Sequence, residues 1–247
     1  QDLTDRINKG DVIIMDGAIG TQLQAMGVLL DPICWAAIAN LTHPNTVRKM
    51  HEDYVRAGAE ILITNTYSSA RHNYEPLGLA DQVVELNLRA VVLAQEARDR
   101  AAERPVYIAG AVSTFPPTIG RGTMRYGRGG RNAITEEQAK GNLREQANIL
   151  VDAGVDFLLG ESTGDEVQRR WVSEALASTG APFWVGTKSH IREGEDFPRT
   201  GYNSDMALVD ELDDLLPLGG EVLTTMHSSI ESTTASIPVI KSKWSGP

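Results

Sequence analysis

Short apolar runs recur along this chain, each followed by a polar turn and then a helical pattern, and that alternation is the mark of a parallel sheet sandwiched by helices. Seven runs carry it: Val12-Ile13-Ile14-Met15, Ile61-Leu62-Ile63-Thr64, Val106-Tyr107-Ile108-Ala109, Phe157-Leu158-Leu159, Phe183-Trp184-Val185, Val222-Leu223-Thr224-Thr225 and Pro238-Val239-Ile240-Lys241. Strands so uniformly apolar need cover on both faces. The spacing of Val47, Met50, Tyr54 and Val55 predicts a helix over residues 46–57, with Asn45 as a possible cap and Gly58 as its end. Further helices are expected over 81–102, 135–153, 165–178 and 204–216, the second of these four opening on the capping-box candidate Thr135-Glu136-Glu137-Gln138. Between the sixth and seventh runs there is room for only a turn or two.

Without a composition break or a Pro/Gly/Ser-rich linker, the repetition favours one (β/α)8 TIM-type barrel spanning 1–247 as a single domain; an open doubly wound sheet is the alternative. A barrel of this class has eight strands, and the seventh run ends just before Trp244-Ser245-Gly246-Pro247. The eighth strand is therefore missing from the chain, which is expected to be truncated or to continue beyond Pro247.

Charge narrows the partners. A formal net charge of -10 opposes binding to nucleic acid, which draws on many Lys and Arg contacts to phosphate. No run approaches the roughly 20 apolar residues of a membrane helix, and the start has no basic-then-apolar signal pattern. The chain reads as cytoplasmic, with small molecules as partners and a homo-oligomer possible. A single cysteine, Cys34, excludes an internal disulfide and a multi-thiolate metal site built from this chain alone.

In parallel α/β folds the chemistry collects at the C-terminal strand ends. The first run delivers Asp16-Gly17-Ala18-Ile19-Gly20-Thr21, either a helix-capping turn or a rim carboxylate beside an exposed backbone. The second delivers Thr64-Asn65-Thr66-Tyr67, too polar for core. The third leads through Phe115-Pro116-Pro117 into an arginine-rich tract over residues 121–131, a solvated loop or a lid. The fourth places Glu161 at the rim, costly there unless it is hydrogen-bonded or faces a cation. Lys188, then Met226-His227-Ser228, then Lys241 and Lys243 follow from the last three.

Met15 to Thr21, His43-Pro44 through Val47, His51-Glu52-Asp53-Tyr54, Ala57-Gly58-Ala59-Glu60 into Thr64-Asn65-Thr66-Tyr67, and Ala153 to Glu161 together resemble the homocysteine S-methyltransferase family. The resemblance implies a (β/α)8 barrel that moves a methyl group from an activated donor, such as betaine, S-methylmethionine or a methylated cofactor, to the sulfur of homocysteine or a related thiol. It implies that Asp16 and Gly17 contact the amino-acid acceptor, that Glu161 holds its ammonium group, with Thr64 and Asn65 beside them, and that Trp35 and Tyr67 line the donor side, where a cation would rest over aromatic faces. It also implies zinc, which keeps the acceptor sulfur a thiolate. The family's zinc sits on three thiolates, one after strand six and a pair after strand eight. Here His227-Ser228 stands at the strand-six position, so His227 is a candidate ligand whose companions are expected beyond Pro247, while Cys34 lies at the wrong place in the motif order. Ser162 departs from the betaine-using branch, which has a tyrosine after the rim glutamate. Two alternatives remain: a metal-free homologue that binds without turnover, and a Schiff-base lyase using Lys188 or Lys241.

Overall fold

The computed structural model describes residues 3–114, 124–126, 132–161, 165–202 and 204–247. In chain order its elements are α1 (Leu3–Asn8), α2 (Ile19–Ala25), α3 (Ala39–Thr42), α4 (Pro44–Ala57), β1 (Ile61–Ile63), α5 (Arg71–Tyr74), α6 (Val83–Ala101), β2 (Tyr107–Val112), β3 (Met124–Tyr126), β4 (Asn132–Ile134), α7 (Glu136–Asp152), β5 (Phe157–Gly160), α8 (Glu166–Ala177), β6 (Phe183–Thr187), α9 (Leu208–Leu215), β7 (Val222–Thr225) and α10 (Ile230–Lys243). Five strands form one parallel sheet in the order β1-β2-β5-β6-β7, and β3 pairs only with β4, antiparallel. The order never reverses, so there is no switch point of the doubly wound kind, and the sheet curls as half of a barrel.

The sheet is buried on both faces because successive side chains point opposite ways. Leu158 and Val185 pack outward with Leu143, Leu150, Trp171 and Val172 of α7 and α8. Ile61, Ala109, Phe157, Leu159 and Trp184 pack inward, where Phe157 stacks on Trp184 at 4.2 Å and Leu3 of α1 joins them. Each fully buried leucine contributes about 1.5–3 kcal/mol. The helices have the expected sequence causes. Thr135 accepts from the Gln138 N–H at 3.1 Å, and the Gln138 side chain accepts from the Thr135 N–H at 2.9 Å. Pro44 opens α4 in place of a side-chain cap, so Asn45 lies inside the helix and accepts from Arg48.

Three expectations are corrected. The first run is not a full strand: only Met15 bridges Ile61, with the Asp16 N–H on the Ile61 carbonyl at 2.9 Å, while Val12 and Ile14 are exposed among the described residues. The seventh run lies inside α10, so the expected turn is a helix and Lys241 and Lys243 sit on its last turn, away from any strand end. Ser229 caps that helix by accepting from the Ser232 N–H, Ser189 donates to the Ser232 carbonyl, and Lys243 pairs with Asp213 at 2.7 Å. Finally, α9 begins at Leu208 rather than 204, because Arg192 and Arg199 hold the carbonyls of Ser204 and Asp205 in the preceding loop. The arginine-rich tract, apart from the backbone of β3, and Ser162 lie outside the described residues.

Candidate active site

The polar segment after β1 is buried and held by its own side chains. Thr64 and Thr66 share a hydrogen bond of 2.7 Å, and Thr66 donates to the Ala111 carbonyl. Asn65 donates to the Ala36 carbonyl and to Asn40 on α3, and Asn40 donates back to the Asn65 carbonyl. Gln146 of α7 reaches the Thr66 carbonyl at 2.8 Å and Ser69 at 3.0 Å, while Asn87 of α6 donates to the Ser69 carbonyl. Such a network fixes the loop because each buried polar group left unpaired would cost about 1–3 kcal/mol.

Behind this loop Asp16 and Glu161 converge. The Asp16 side chain is buried and accepts from the Ile63 N–H at 3.0 Å, so it ties the first segment to β1; α2 starts at Ala18 with no side-chain cap. Burial pushes its carboxyl well above the usual range, and the neighbouring charge of Glu161 raises it further. Glu161 leaves β5 with its N–H on the Val112 carbonyl, and burial pushes its carboxyl up to about 7. Burial thus favours the protonated form of both carboxyls, and the charge of Glu161 adds to that effect on Asp16. His51 of α4 stands beside them, its Nδ1 at 3.9 Å from Asp16 Oδ2. Burial pushes it down to about 4, so it is neutral and this approach is no ion pair.

In front of the carboxylates lies a cavity of about 300 Å³, lined by Ala18, Ile19, Gly20, Thr21, Trp35, Ala36, Asn65, Tyr67, Ser68, Glu161 and His227. Trp35 and His227 are the non-glycine residues with positive φ among the described residues, both at 49°, and both line this cavity. Such backbone costs roughly 1–3 kcal/mol per residue and persists only where neighbours impose it. Asp31 accepts from the Ile33 and Cys34 N–H groups and donates its own N–H to the Trp35 carbonyl, while Ser68 grips the Cys34 carbonyl. Gly20 leaves room for the indole, since a Cβ there would stand 2.2 Å from Trp35 Nε1. At the other rim Ser228 bonds the Met226 carbonyl and the Ser189 N–H on either side of His227.

The cavity thus gathers Trp35, Asn65, Tyr67, Glu161 and His227, with Asp16 buried behind it. Thr64 and Gly17 are outside its wall: the Thr64 hydroxyl is taken up by Thr66, and Gly17 packs under Tyr54. Lys188 follows β6, pushed down to about 8 by burial first and then by Arg169. His227 is pushed down by partial burial and by Lys188. Cys34 is a buried free thiol pushed up to about 12 by burial, unsuited to bind metal. Among the described residues no three His, Cys, Asp or Glu side chains cluster as metal ligands, so His227 alone of the expected set is in place and these residues do not fit zinc. No helix among them is long and apolar enough to cross a membrane. His51, Asn40, Asn87 and Gln146 were not singled out from sequence as site residues. Their signal was available: each is a polar side chain on the apolar, buried face of its helix.

A family model for homocysteine S-methyltransferase matches residues 13–214. A selenocysteine methyltransferase of Astragalus bisulcatus is 31% identical over 76% of this chain and 62% of its own length. A betaine–homocysteine S-methyltransferase of Xenopus laevis is 28% identical over 73% of this chain and 42% of its own. The metallated form of the homocysteine methyltransferase MmuM from Escherichia coli superposes with a TM-score of 0.76 at 25% identity, covering 97% of this chain and 83% of that one. The chain spans less than two thirds of the length of these two curated relatives.

Proposed function

Since this chain belongs to the homocysteine S-methyltransferase family, we propose that it methylates the thiol of homocysteine or the selenol of a related amino acid from an activated methyl donor, within a barrel that closes as (β/α)8. The observation that carries this reading is the buried pair Asp16 and Glu161 opening onto a cavity walled by Trp35 and Tyr67. The carboxylates hold the acceptor's ammonium group, and the cavity is small and aromatic enough to exclude water around the sulfur. A cationic donor rests over Trp35 and Tyr67, whose ring faces attract an onium charge.

In the transfer the acceptor sulfur, having lost its proton, attacks the methyl carbon in line. The bond from carbon to the donor's positive centre breaks, and its electron pair returns to the donor, which leaves neutral. Holding both partners in one cavity supplies most of the advantage, since alignment at about 3–3.5 Å turns a bimolecular step into an intramolecular one. Asn65 and the loop behind it fix that geometry. The described residues do not make a zinc site by themselves. His227 stands where the family has a thiolate, and that replacement favours one second reading, a chain that binds the amino-acid acceptor without metal and without turnover.

The deciding experiment incubates the chain, with and without added zinc, with homocysteine or selenocysteine and each of S-methylmethionine and betaine, and follows the methylated product by mass spectrometry. Turnover that falls about ten- to a hundredfold in Glu161→Gln supports the proposal, the size being that of one lost hydrogen bond to a charged group. Metal-independent binding with no product supports the second reading. Neither binding nor product in any combination refutes both.

A further inference from the structure

Four buried polar atoms behind the cavity have no hydrogen-bond partner among the described residues: Asp16 Oδ1, Glu161 Oε2 and both ring nitrogens of His51. Three separate elements bring them together, since His51 faces inward from α4, Asp16 follows the Met15 bridge and Glu161 ends β5. At 3.9 Å the gap between His51 Nδ1 and Asp16 Oδ2 is too long for a hydrogen bond and too short to admit a water. A movement of roughly 1 Å would close it. A buried imidazole with neither nitrogen bonded does not stand at such range from a carboxylate without cost, so the arrangement is poised for a contact that the free protein does not make.

Among the described residues His51 is the group that can answer a charge on Asp16. From α4 the other titratable group facing Asp16 is Tyr54, whose hydroxyl is engaged on the Ala18 carbonyl at 2.8 Å. From the end of β5 it is Glu161, and β1 supplies only the Ile63 N–H. α2 carries no titratable side chain, and on the cavity wall the remaining ones are Tyr67 and His227. Arg6, the nearest cation of the N-terminal helix, is paired with Glu60 at 2.8 Å.

We propose that His51 is a positioning residue of the carboxylate pair: when an ammonium group enters the cavity, the Nδ1–H of neutral His51 donates to Asp16, so that Asp16 and Glu161 meet the cation as two anions. The inference rests on the reading of the cavity as an amino-acid acceptor site. In the free protein the pair keeps one proton, consistent with the upward push of burial on both carboxyls. That proton leaves to solvent on binding, while His51 gives a hydrogen bond and keeps its own proton. Acceptor binding is therefore linked to the release of one carboxyl proton, besides any lost by the thiol, and L-methionine, which has no thiol, isolates the carboxyl contribution.

The test is calorimetry of L-methionine binding in buffers of differing ionisation enthalpy, from about pH 6 to about pH 9, on wild type, His51→Leu and His51→Asn. Wild type is expected to release close to one proton at the acid end and to bind more tightly as pH rises through the range of Glu161. His51→Leu is expected to bind about tenfold more weakly, with its pH midpoint moved upward, and His51→Asn, which keeps a donor, to recover most of both. Equal impairment in the two variants, or a wild-type midpoint in His51→Leu, overturns the proposal. Two spectroscopic readouts follow the carboxyl and the imidazole directly. With saturating L-methionine, the infrared band of a protonated buried carboxyl, lost in Glu161→Gln, should persist to higher pH in His51→Leu than in wild type, and an unmoved band in the complex overturns the proposal. In wild type, ¹⁵N spectra should show His51 as the Nδ1–H neutral tautomer, and an Nε2–H tautomer overturns it. Absence of methionine binding in wild type, with His51 in the Nδ1–H tautomer, would instead count against the acceptor reading.

Discussion

Gly186 offers the most direct test of how the sheet supports the cavity. It faces Gly160 across the β5–β6 pair, and a Cβ on Gly186 would stand 1.8 Å from the Gly160 carbonyl oxygen and 2.9 Å from its carbonyl carbon. To accommodate Gly186→Ala, β5 would have to retreat by about 1.5 Å, since ordinary carbon–oxygen contact is near 3.4 Å. It cannot retreat freely. Leu158 and Leu159 are in register with Phe183 and Trp184 on one side, and with Gly110 and Ala111 on the other. Overpacking a tight core costs typically 1–3 kcal/mol, and an obstacle made of backbone rather than a side-chain tip puts this case at about 3 kcal/mol. For a chain of this size each kcal/mol moves the melting temperature by about 2–4 °C, so a fall of about 6–12 °C is expected. Because Glu161 follows Gly160 directly, acceptor binding should weaken as well. Circular-dichroism melts read the first effect and calorimetry the second. Gly141→Ala is the matched control: Gly141 lies within α7 with open space around its Cβ position, and the change should stabilise by about 1 kcal/mol. A Gly186→Ala protein that melts within about 2 °C of wild type would refute the close approach of these strands and the support it lends Glu161.

Gln146→Leu removes the bonds to the Thr66 carbonyl and Ser69, so chemical denaturation should show a loss of about 2 kcal/mol and the loop bearing Asn65 and Tyr67 should become easier to cleave by protease; an unchanged denaturation midpoint would speak against that support. Glu161 is pushed up to about 7 by burial from an ordinary 4.5, so the folded state favours its protonated form. Its contribution is complete below about pH 4.5 and is lost as pH rises to about 7, whereas His51, pushed down to about 4, destabilises as pH falls below its ordinary 6.5. Urea unfolding across this range should therefore show a decline toward neutrality that Glu161→Gln reduces by about 1–2 kcal/mol, the partial exposure of Glu161 holding the figure down, and an identical slope in the variant would contradict the burial argument. Arg169 and Glu211 form a buried pair between α8 and α9, so Arg169→Met should cost about 3–5 kcal/mol by leaving the carboxylate alone, and adding Glu211→Leu should restore much of it; a double variant no better than the single would show that the pair is not what holds these helices.

The parallel sheet was legible because its central runs are buried on both faces, and burial on both faces leaves a run with nothing polar to interrupt it. The same criterion misread the two ends. At the edge of the sheet Val12 and Ile14 are as apolar as Leu158, yet the run pairs with β1 only through the Met15 bridge and the Ile14 carbonyl, since hydrogen bonding along a strand depends on a neighbour that composition does not reveal. Over 238–241 the β-branched residues are outweighed by a start signal located nine residues earlier: Ser229 caps a helix that docks through Ser232 and Lys243, and the helix absorbs Pro238, whose cost in a helix interior is about 3 kcal/mol, because those contacts fix both of its ends.

The rim of the site was legible for a related reason, that carboxylates and amides directly after apolar strands have no place in a core. Its foundation was less so. His51 recurs at the spacing of Val47 and Val55, and Gln146 lies between Leu143 and Leu150, so each sits where a helical pattern calls for an apolar side chain. A polar residue there either is a fault in the pattern or meets another polar group arriving from elsewhere in the chain. Gln146 meets the Thr66 carbonyl from 80 residues away, a pairing that exists only once the loop after β1 is folded against α7. His51 meets Asp16, but at a distance that leaves its own ring nitrogens and Asp16 Oδ1 without a partner among the described residues. Neither fact can be read from periodicity, because both depend on the curl of the sheet that brings the end of the first segment under α4. What the sequence does show is the exception to its own pattern, and the exceptions on α3, α4, α6 and α7 all meet the loop after β1 or Asp16.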